Sequence, residues 1–170
     1  MNYPVYVIDI MQEVVAATGA KLGIVINFQP GRSLQIVKSL SNDDNSVNYK
    51  GGKYPLFALF VPFKEDFTRS EFYADVTFDK IVIATLAEQN TTVLERYVIG
   101  QNFKTILYPI YIEFLNQLAV HPNISESDPD TISHYKMDNP GVQESPETND
   151  FIDCIEITGL SFTLIQTKTC

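Results

Sequence analysis

The feature that most limits the fold is an apolar stripe through residues 103–118. Its members recur at steps of three and four residues: Phe103, Ile106, Leu107, Ile110, Tyr111, Phe114, Leu115 and Leu118. This spacing places them on one face of an α-helix, and such a face has to be covered by other elements. Pro109 lies inside the pattern and cannot donate to the carbonyl of Thr105. The helix is therefore expected either to kink there or to begin at Tyr108 with Pro109 in its first turn.

Two other segments alternate as strands and share a change of phase. In residues 72–85 the apolar alternation runs to Phe78 and resumes one residue out of phase at Ile81. Near the C-terminus it runs to Ile157 and resumes out of phase at Leu160. A β-bulge has this effect, because an extra residue turns the following side chains to the other face. We therefore expect two long, bent strands in one sheet.

Further elements are predicted in the N-terminal part. Apolar spacing over residues 5–17 predicts an amphipathic helix that ends at Gly19. Alternation over residues 22–30 and an extended run over 33–40 predict a pair of strands, and the apolar run Leu56–Val61 predicts a central strand covered on both faces. The fold class expected is α+β, with a curved, mostly antiparallel β-sheet and helices packed on one face.

Residues 121–150 differ in composition from the rest of the chain. They contain four prolines, seven acids and one lysine, and so carry a net charge of −6 out of the −9 of the whole chain. We expect a long acidic, Pro-rich loop inserted in a single domain of residues 1–170. Loops of this length are uncommon unless they are functional or disordered.

Charge and composition exclude several classes of function. The net charge of −9 argues against a non-specific grip on DNA phosphates or anionic lipid, since both require a basic face. No apolar run reaches the length of about 18 residues that a membrane span needs, and the N-terminal segment has no basic residues of a signal peptide. Cys154 and Cys170 are too few for a framework of several disulfides, so a reducing compartment is expected.

The residues that usually carry catalysis or bind metals form no recognised motif. His121 and His134 belong to no metal-ligand spacing, and the acids around Asp128 lack the glycine and ligand offsets of an EF-hand. Neither a phosphate-binding glycine loop nor a nucleophile elbow occurs. Cys154 lies in an apolar strand, where a small buried thiol is expected. We predict no catalytic residue, cofactor or metal; an enzyme that uses Cys154 or the histidines is an alternative.

Four short motifs accompany this order of elements. They are Tyr54-Pro55-Leu56, Glu95-Arg96 before a helix, Leu107-Tyr108-Pro109-Ile110-Tyr111 within it, and Asp150-Phe151-Ile152-Asp153 at the start of the last strand. Over residues 54–164 the chain resembles the small tail-terminator, tail-completion and neck-ring proteins of tailed bacteriophages, which belong to the head-tail connector.

The resemblance implies a virion structural protein with no enzymatic activity. Its implied partners are further copies of itself in a sixfold or twelvefold ring, portal, adaptor or tail-tube proteins, and genomic DNA that passes without sequence recognition; no membrane is implied. It would be assembled in the host cytoplasm and reside in the neck or tail of the virion.

Two sets of side chains are candidates for contacts in such a ring. The candidate subunit or ring interface consists of Phe63, Phe67 and Phe72, for which packing at the end of the sheet is the alternative. The candidate lumen or partner-facing acids are Asp128, Asp130, Glu144 and Glu147, because negative charge in a lumen would repel duplex phosphates. The alternative function is a small acidic intracellular binding or regulatory module that acts as a monomer or small oligomer.

Overall fold

The computed structural model describes residues 5–33, 36, 52–70, 72–88, 90–98, 102–143 and 151–166. These residues form the predicted α+β fold, an open and mostly antiparallel sheet of six strands with helices packed against it. The helices are α1 (Val7–Leu22), α2 (Val93–Val98) and α3 (Tyr108–Val120). The strands are β1 (Asn27–Gly31), β2 (Leu56–Phe60), β3 (Phe63–Ser70), β4 (Tyr73–Leu86), β5 (Ser133–Gln143) and β6 (Phe151–Ile165). A π-helical turn (Phe103–Leu107) precedes α3, and a 3₁₀ turn (Pro129–Thr131) precedes β5.

The sheet is built on two long neighbours, β4 and β6, which pair antiparallel from Tyr73 opposite Ile165 to Leu86 opposite Ile152. The strand order is β1-β2-β4-β6-β5, and β3 pairs with the first half of β4 on the side where β2 pairs with its second half. Only β1 and β2 are parallel within the described part of the sheet. The prediction of two long strands in one sheet is confirmed.

The change of apolar phase follows one line across the sheet. Beside Lys80 on β4 and beside Gly159 on β6, two consecutive residues of the strand do not pack in the core. The two strands nevertheless stay in register, because Phe78 pairs with Leu160 and Lys80 with Thr158. β4 and β6 are therefore not bulged against each other, since both strands carry the extra residue, whereas β6 does have one residue more than β5 at this level, as the predicted bulge near Thr158 and Gly159 requires. Gly159 accommodates the irregularity with a φ of 62°, which glycine adopts most easily. The register of β5 on β6 shifts at the same level, and the break between β2 and β3 also lies there.

The core lies mainly on the face of the sheet that α1 and α3 cover. Its largest fully buried side chains include Met11, Phe57, Phe78, Phe103 and Phe114. A smaller cluster on the opposite face contains Leu56, Ala58, Val82, Ala84, Ile152 and Cys154, and the helical residue Ile36 packs on it. β2 is thus buried on both faces, as predicted, and helical structure contributes to both faces rather than to one alone.

Two predictions in the N-terminal part are wrong. Helix α1 continues through Gly19 and ends at Gly23, whose φ of 69° forms the left-handed C-cap. Gly19 is required for close packing instead, since a Cβ there would lie 2.7 Å from the carbonyl oxygen of Ile24. The predicted partner of β1 was the run 33–40, but β1 pairs with β2, and the described residues of that run, Ser33 and Ile36, are helical.

The alternatives at Pro109 are resolved in favour of a helix that begins at Tyr108, with Pro109 in its first turn. The fixed φ of Pro109 suits the first turn of this helix, and its missing N–H falls at the junction between the preceding π-helical turn and α3. The π-helical turn before α3 carries the apolar face back to Phe103, and the Tyr108 N–H closes that turn on the Phe103 carbonyl.

The prediction of a loop over residues 121–150 is wrong for Ser133–Gln143, which form β5 at the edge of the sheet. The polar composition indicated a loop because many side chains of β5 contact α3 or solvent and do not enter the core. Pro140 is tolerated because β5 is an edge strand whose register on β6 shifts between Asn139 and Val142. The segment before β5 covers the rest of the β6 edge, where the Thr163 N–H donates to the Glu126 carboxylate at 3.0 Å.

Candidate functional site

Helix α2 points the apolar side chains of its first turn outward. Val93 and Leu94 are 57% and 69% exposed, whereas Arg96 is 3% exposed and is the one buried side chain among those described in the helix. A surface helix ordinarily buries its apolar face and exposes its charges. α2 is therefore held on the protein by a charge and presents an apolar surface to solvent.

The N-terminus of α2 is stabilised by a capping box. The Thr92 N–H and hydroxyl both donate to Glu95 Oε2, at 2.7 and 2.9 Å, and the Glu95 N–H donates to Thr92 Oγ1 at 3.3 Å. These hydrogen bonds favour the ionised carboxylate and lower the pKa of Glu95. The box satisfies N–H groups that a helix start leaves unpaired. The short helix thus has local support that does not depend on burying its apolar residues.

Arg96 fastens α2 to the sheet. Its guanidinium donates through Nη1 to Asp153 Oδ1 at 2.8 Å and through Nη2 to the carbonyls of Glu88 at 2.6 Å and Thr91 at 3.2 Å. The same group lies 5.1 Å from the ring centroid of Phe151. The guanidinium holds its donors on separate nitrogens in a fixed plane and so reaches these separated acceptors together, a geometry that the single ammonium nitrogen of lysine does not reproduce.

Asp153, on β6, is 1% exposed and has further donors. The Gly141 N–H donates to its Oδ1 at 2.8 Å, and the Asn102 side-chain amide donates to its Oδ2 at 2.8 Å and also to the Leu86 carbonyl. Gly141 has a φ of 64°, and a Cβ there would lie 2.9 Å from the ring of Phe151. The buried carboxylate is satisfied, and its partners join the ends of β4, β5 and β6 to α2 and the π-helical turn.

Exposed apolar side chains belong to the segments that this network joins. We call Leu86, Val93, Leu94 and Tyr97 the α2 surface; the Tyr97 ring also stacks on Phe103 with centroids 4.7 Å apart. Clustered exposed apolar residues are typical of contact sites for other molecules. The arrangement is suited to binding a protein surface.

A second polar group connects α3 to β5. His134 Nδ1 lies 2.8 Å from the Ile132 carbonyl, which can only accept, so this nitrogen carries a proton. Neutral His134 therefore accepts at Nε2 from the Tyr111 hydroxyl, at 2.6 Å. The ring of Tyr111 is partly buried, and this burial raises its pKa.

Tyr108 makes the parallel contact one helical turn away. Its hydroxyl donates to Asp138 Oδ2 at 2.6 Å, and the Lys136 ammonium binds Asp138 Oδ1 at 2.6 Å while lying 4.8 Å from the Tyr108 ring centroid. The hydrogen bond to Asp138, followed by burial, raises the pKa of Tyr108 to about 12. These contacts hold Lys136 and Asp138 of β5 on the face of the sheet that α3 covers.

The structure separates the three candidate interface phenylalanines. Phe63 packs against the core with its ring centroid 5.1 Å from that of Phe78, opposite the middle of β4 and not at the end of the sheet. Phe67 and Phe72 are exposed, as is the neighbouring Tyr73, near the tip of the β3–β4 hairpin. This aromatic tip and Leu86 of the α2 surface lie at opposite ends of β4.

Two of the candidate acids, Asp128 and Asp130, and both histidines lie among the described residues. Asp128 caps the 3₁₀ turn by accepting from the Asp130 N–H at 3.0 Å, and both residues are exposed. Glu144 and Glu147 lie outside the described residues. His121 contacts Glu13 at 3.2 Å. Buried Cys154 lies in the cluster on the face opposite α3 and His134, so the structure does not bring them together.

Sequence analysis missed the pairing of Arg96 with Asp153, although both residues were part of quoted motifs. The available signal was an acid in an otherwise apolar strand, Ile152–Ile155, which needs a cation once the strand is buried.

In the part of the chain that the structure describes, no three His, Cys, Asp or Glu side chains come together as a metal site would require. Nor is any helix within those residues long and apolar enough to cross a membrane. Comparison with family models, curated proteins and solved structures gives no match.

Proposed function

We propose that the protein is a virion structural protein that forms a ring in the head-tail connector of a tailed bacteriophage, at the neck or tail-terminator position, with DNA passing through the ring. The observation that carries this proposal is α2, a helix anchored by a buried ion pair that exposes its apolar residues. Arg96 and Asp153, which form that pair, belong to two of the motifs on which the resemblance to connector proteins rests.

The structure of α2 favours assembly because its contact surface is already folded. Its capping box and the Arg96–Asp153 pair hold Leu94 in place before any partner arrives. A preorganised surface loses less conformational entropy on binding than a flexible one. The exposed apolar side chains therefore favour association instead of being a local defect of packing.

Two different apolar surfaces on one subunit are what a ring needs. The aromatic tip with Phe67, Phe72 and Tyr73 lies at one end of β4, and the α2 surface lies at the other, where Leu86 is at most about 44 Å from Tyr73 for a strand of this length. Contact between two unlike surfaces is heterologous, and its repetition closes a ring when the rotation permits. In this ring the exposed turn with Asp128 and Asp130 is the candidate lumen surface, and portal, adaptor or tail-tube proteins are the neighbours above and below.

The test is the mass of the native protein by native mass spectrometry, alone and mixed with candidate portal and tail proteins. A closed multiple of the 19.2 kDa subunit is expected and would give the symmetry.

Leu94→Glu should reduce the association constant at least about tenfold, because the contact would bury an unpaired carboxylate. Ile112→Glu is the control, since Ile112 is also exposed and apolar but lies on α3, outside the α2 surface.

A strict monomer in every mixture would contradict the ring and favour the monomeric binding module. Equal assembly of the Leu94→Glu variant and the wild type would exclude the α2 surface from the contact. Circular dichroism of both variants should match the wild type, because neither side chain supports the fold.

A further inference from the structure

The outer edge of β5 has no strand partner within the described residues. One side of β5 pairs with β6 over most of its length. Tyr135 and Met137 are 78% and 53% exposed, on the face away from α3. A long edge strand with exposed apolar residues is a template for another strand, and proteins usually protect such edges.

The sequence Lys136-Met137-Asp138 has a symmetry that selects the partner. Lys136 and Asp138 lie on the same face of β5, since both contact Tyr108 of α3. If β5 pairs antiparallel with β5 of a second copy and Met137 lies on the two-fold axis, Lys136 lies directly opposite Asp138 of the second copy. The reciprocal pair forms at the same time. Opposite charges at directly opposed positions stabilise an antiparallel pair.

Neighbouring registers lack this complementarity. With Lys136 on the axis, two lysines would be directly opposed, and with Asp138 on the axis, two aspartates would be. Like charges in this position are destabilising. Both side chains are already held in place by their own contact at 2.6 Å and by Tyr108, so little further ordering is required.

We propose that β5 is the interface with a second copy of this chain, paired antiparallel about a two-fold axis at Met137, so that two six-stranded sheets become one. The contact pairs the N–H and C=O groups on the outer side of β5 and brings Met137 against Met137 of the second copy. It uses neither the α2 surface nor the aromatic tip, and it therefore goes beyond the proposed ring and is independent of it.

Cysteine cross-linking tests the register directly. Met137→Cys, in a Cys170→Ser background, places two cysteines directly opposite each other, with Cβ atoms about 5 Å apart, near the distance that a disulfide requires. Tyr135→Cys is the control: Tyr135 is more exposed than Met137, but its two copies would be four residues out of register, about 13 Å apart. Cys154 is buried and stays unchanged.

Under mild oxidation the Met137→Cys variant should give at least about tenfold more disulfide-linked dimer than the Tyr135→Cys variant, measured by non-reducing electrophoresis at low protein concentration. Absence of dimer with Met137→Cys, or equal yields from both variants, would overturn the proposal. Adding Leu94→Glu should leave the yield unchanged, which separates this contact from the ring.

A charge exchange tests the register. Combined with Met137→Cys, Asp138→Lys should reduce cross-linking, and the further change Lys136→Asp should restore it. Failure of that restoration would refute the charge-selected register.

Discussion

Replacing Arg96 by methionine tests the claim that a buried ion pair holds α2 on the sheet. The substitution keeps a long apolar side chain in the same space, so it leaves little cavity, but it removes the only described cation in contact with the Asp153 carboxylate. That carboxylate would stay buried with the neutral donors of Gly141 and Asn102. Removing one partner of a buried pair costs about 3–5 kcal/mol, because the other charge is left uncompensated.

The assay is thermal and urea denaturation followed by far-ultraviolet circular dichroism. For a domain of this size, that loss of stability corresponds to a decrease in Tm of roughly 6–20 °C. Lys64→Met is the matched control, since it also removes a cation from an aspartate, Asp66, but at an exposed position. Exposed ion pairs contribute less than about 1 kcal/mol, so the control should be close to the wild type.

Arg96→Lys should fall between these two variants. Lysine keeps the charge but cannot bind Asp153 and the carbonyls of Glu88 and Thr91 together. If Arg96→Met cost no more than Lys64→Met, the buried pair would not stabilise the fold, and the account of how Leu94 is presented to a partner would be refuted.

Two further predictions concern α3 and β5. The raised pKa of Tyr108 means that the folded state holds this proton more tightly than the unfolded state; its hydrogen bond to Asp138 should therefore contribute fully below about pH 10 and be lost between about pH 10 and 12. The difference in unfolding free energy between wild type and Tyr108→Phe should shrink over this range, and a constant difference would contradict the assignment. Gly141→Ala should cost about 2 kcal/mol or more in urea denaturation, because of the left-handed backbone and the nearby Phe151 ring. Gly23→Ala, left-handed but in open space, should cost about 1 kcal/mol, and equal losses for both would disprove the steric part of the argument.

The elements with continuous apolar faces could be predicted because burial follows a local period. The stripe of residues 103–118 buries Phe103, Leu107, Ile110, Phe114, Leu115 and Leu118, and the run Leu56–Val61 gives a strand covered on both sides. The shared change of phase in β4 and β6 was also visible, since each side chain reports which face of its strand is buried.

β5 could not be predicted because its side chains carry no such pattern. Its strand structure comes from backbone pairing with β6, while His134, Lys136 and Asp138 are used for contacts with Tyr111 and Tyr108. A polar edge strand and a polar loop have similar compositions, and only the presence of a neighbouring strand separates them.

The sequence by itself determined which segments need a covered face, and therefore the α+β class and the long strands. Only the tertiary structure decided that Arg96 meets Asp153 across 57 residues of chain, that α2 consequently exposes Val93 and Leu94, and that no strand among the described residues pairs with the outer edge of β5. The physical reason is that apolar periodicity records the burial of each residue one at a time. The partner of a buried charge depends instead on how distant segments approach when the sheet and helices pack.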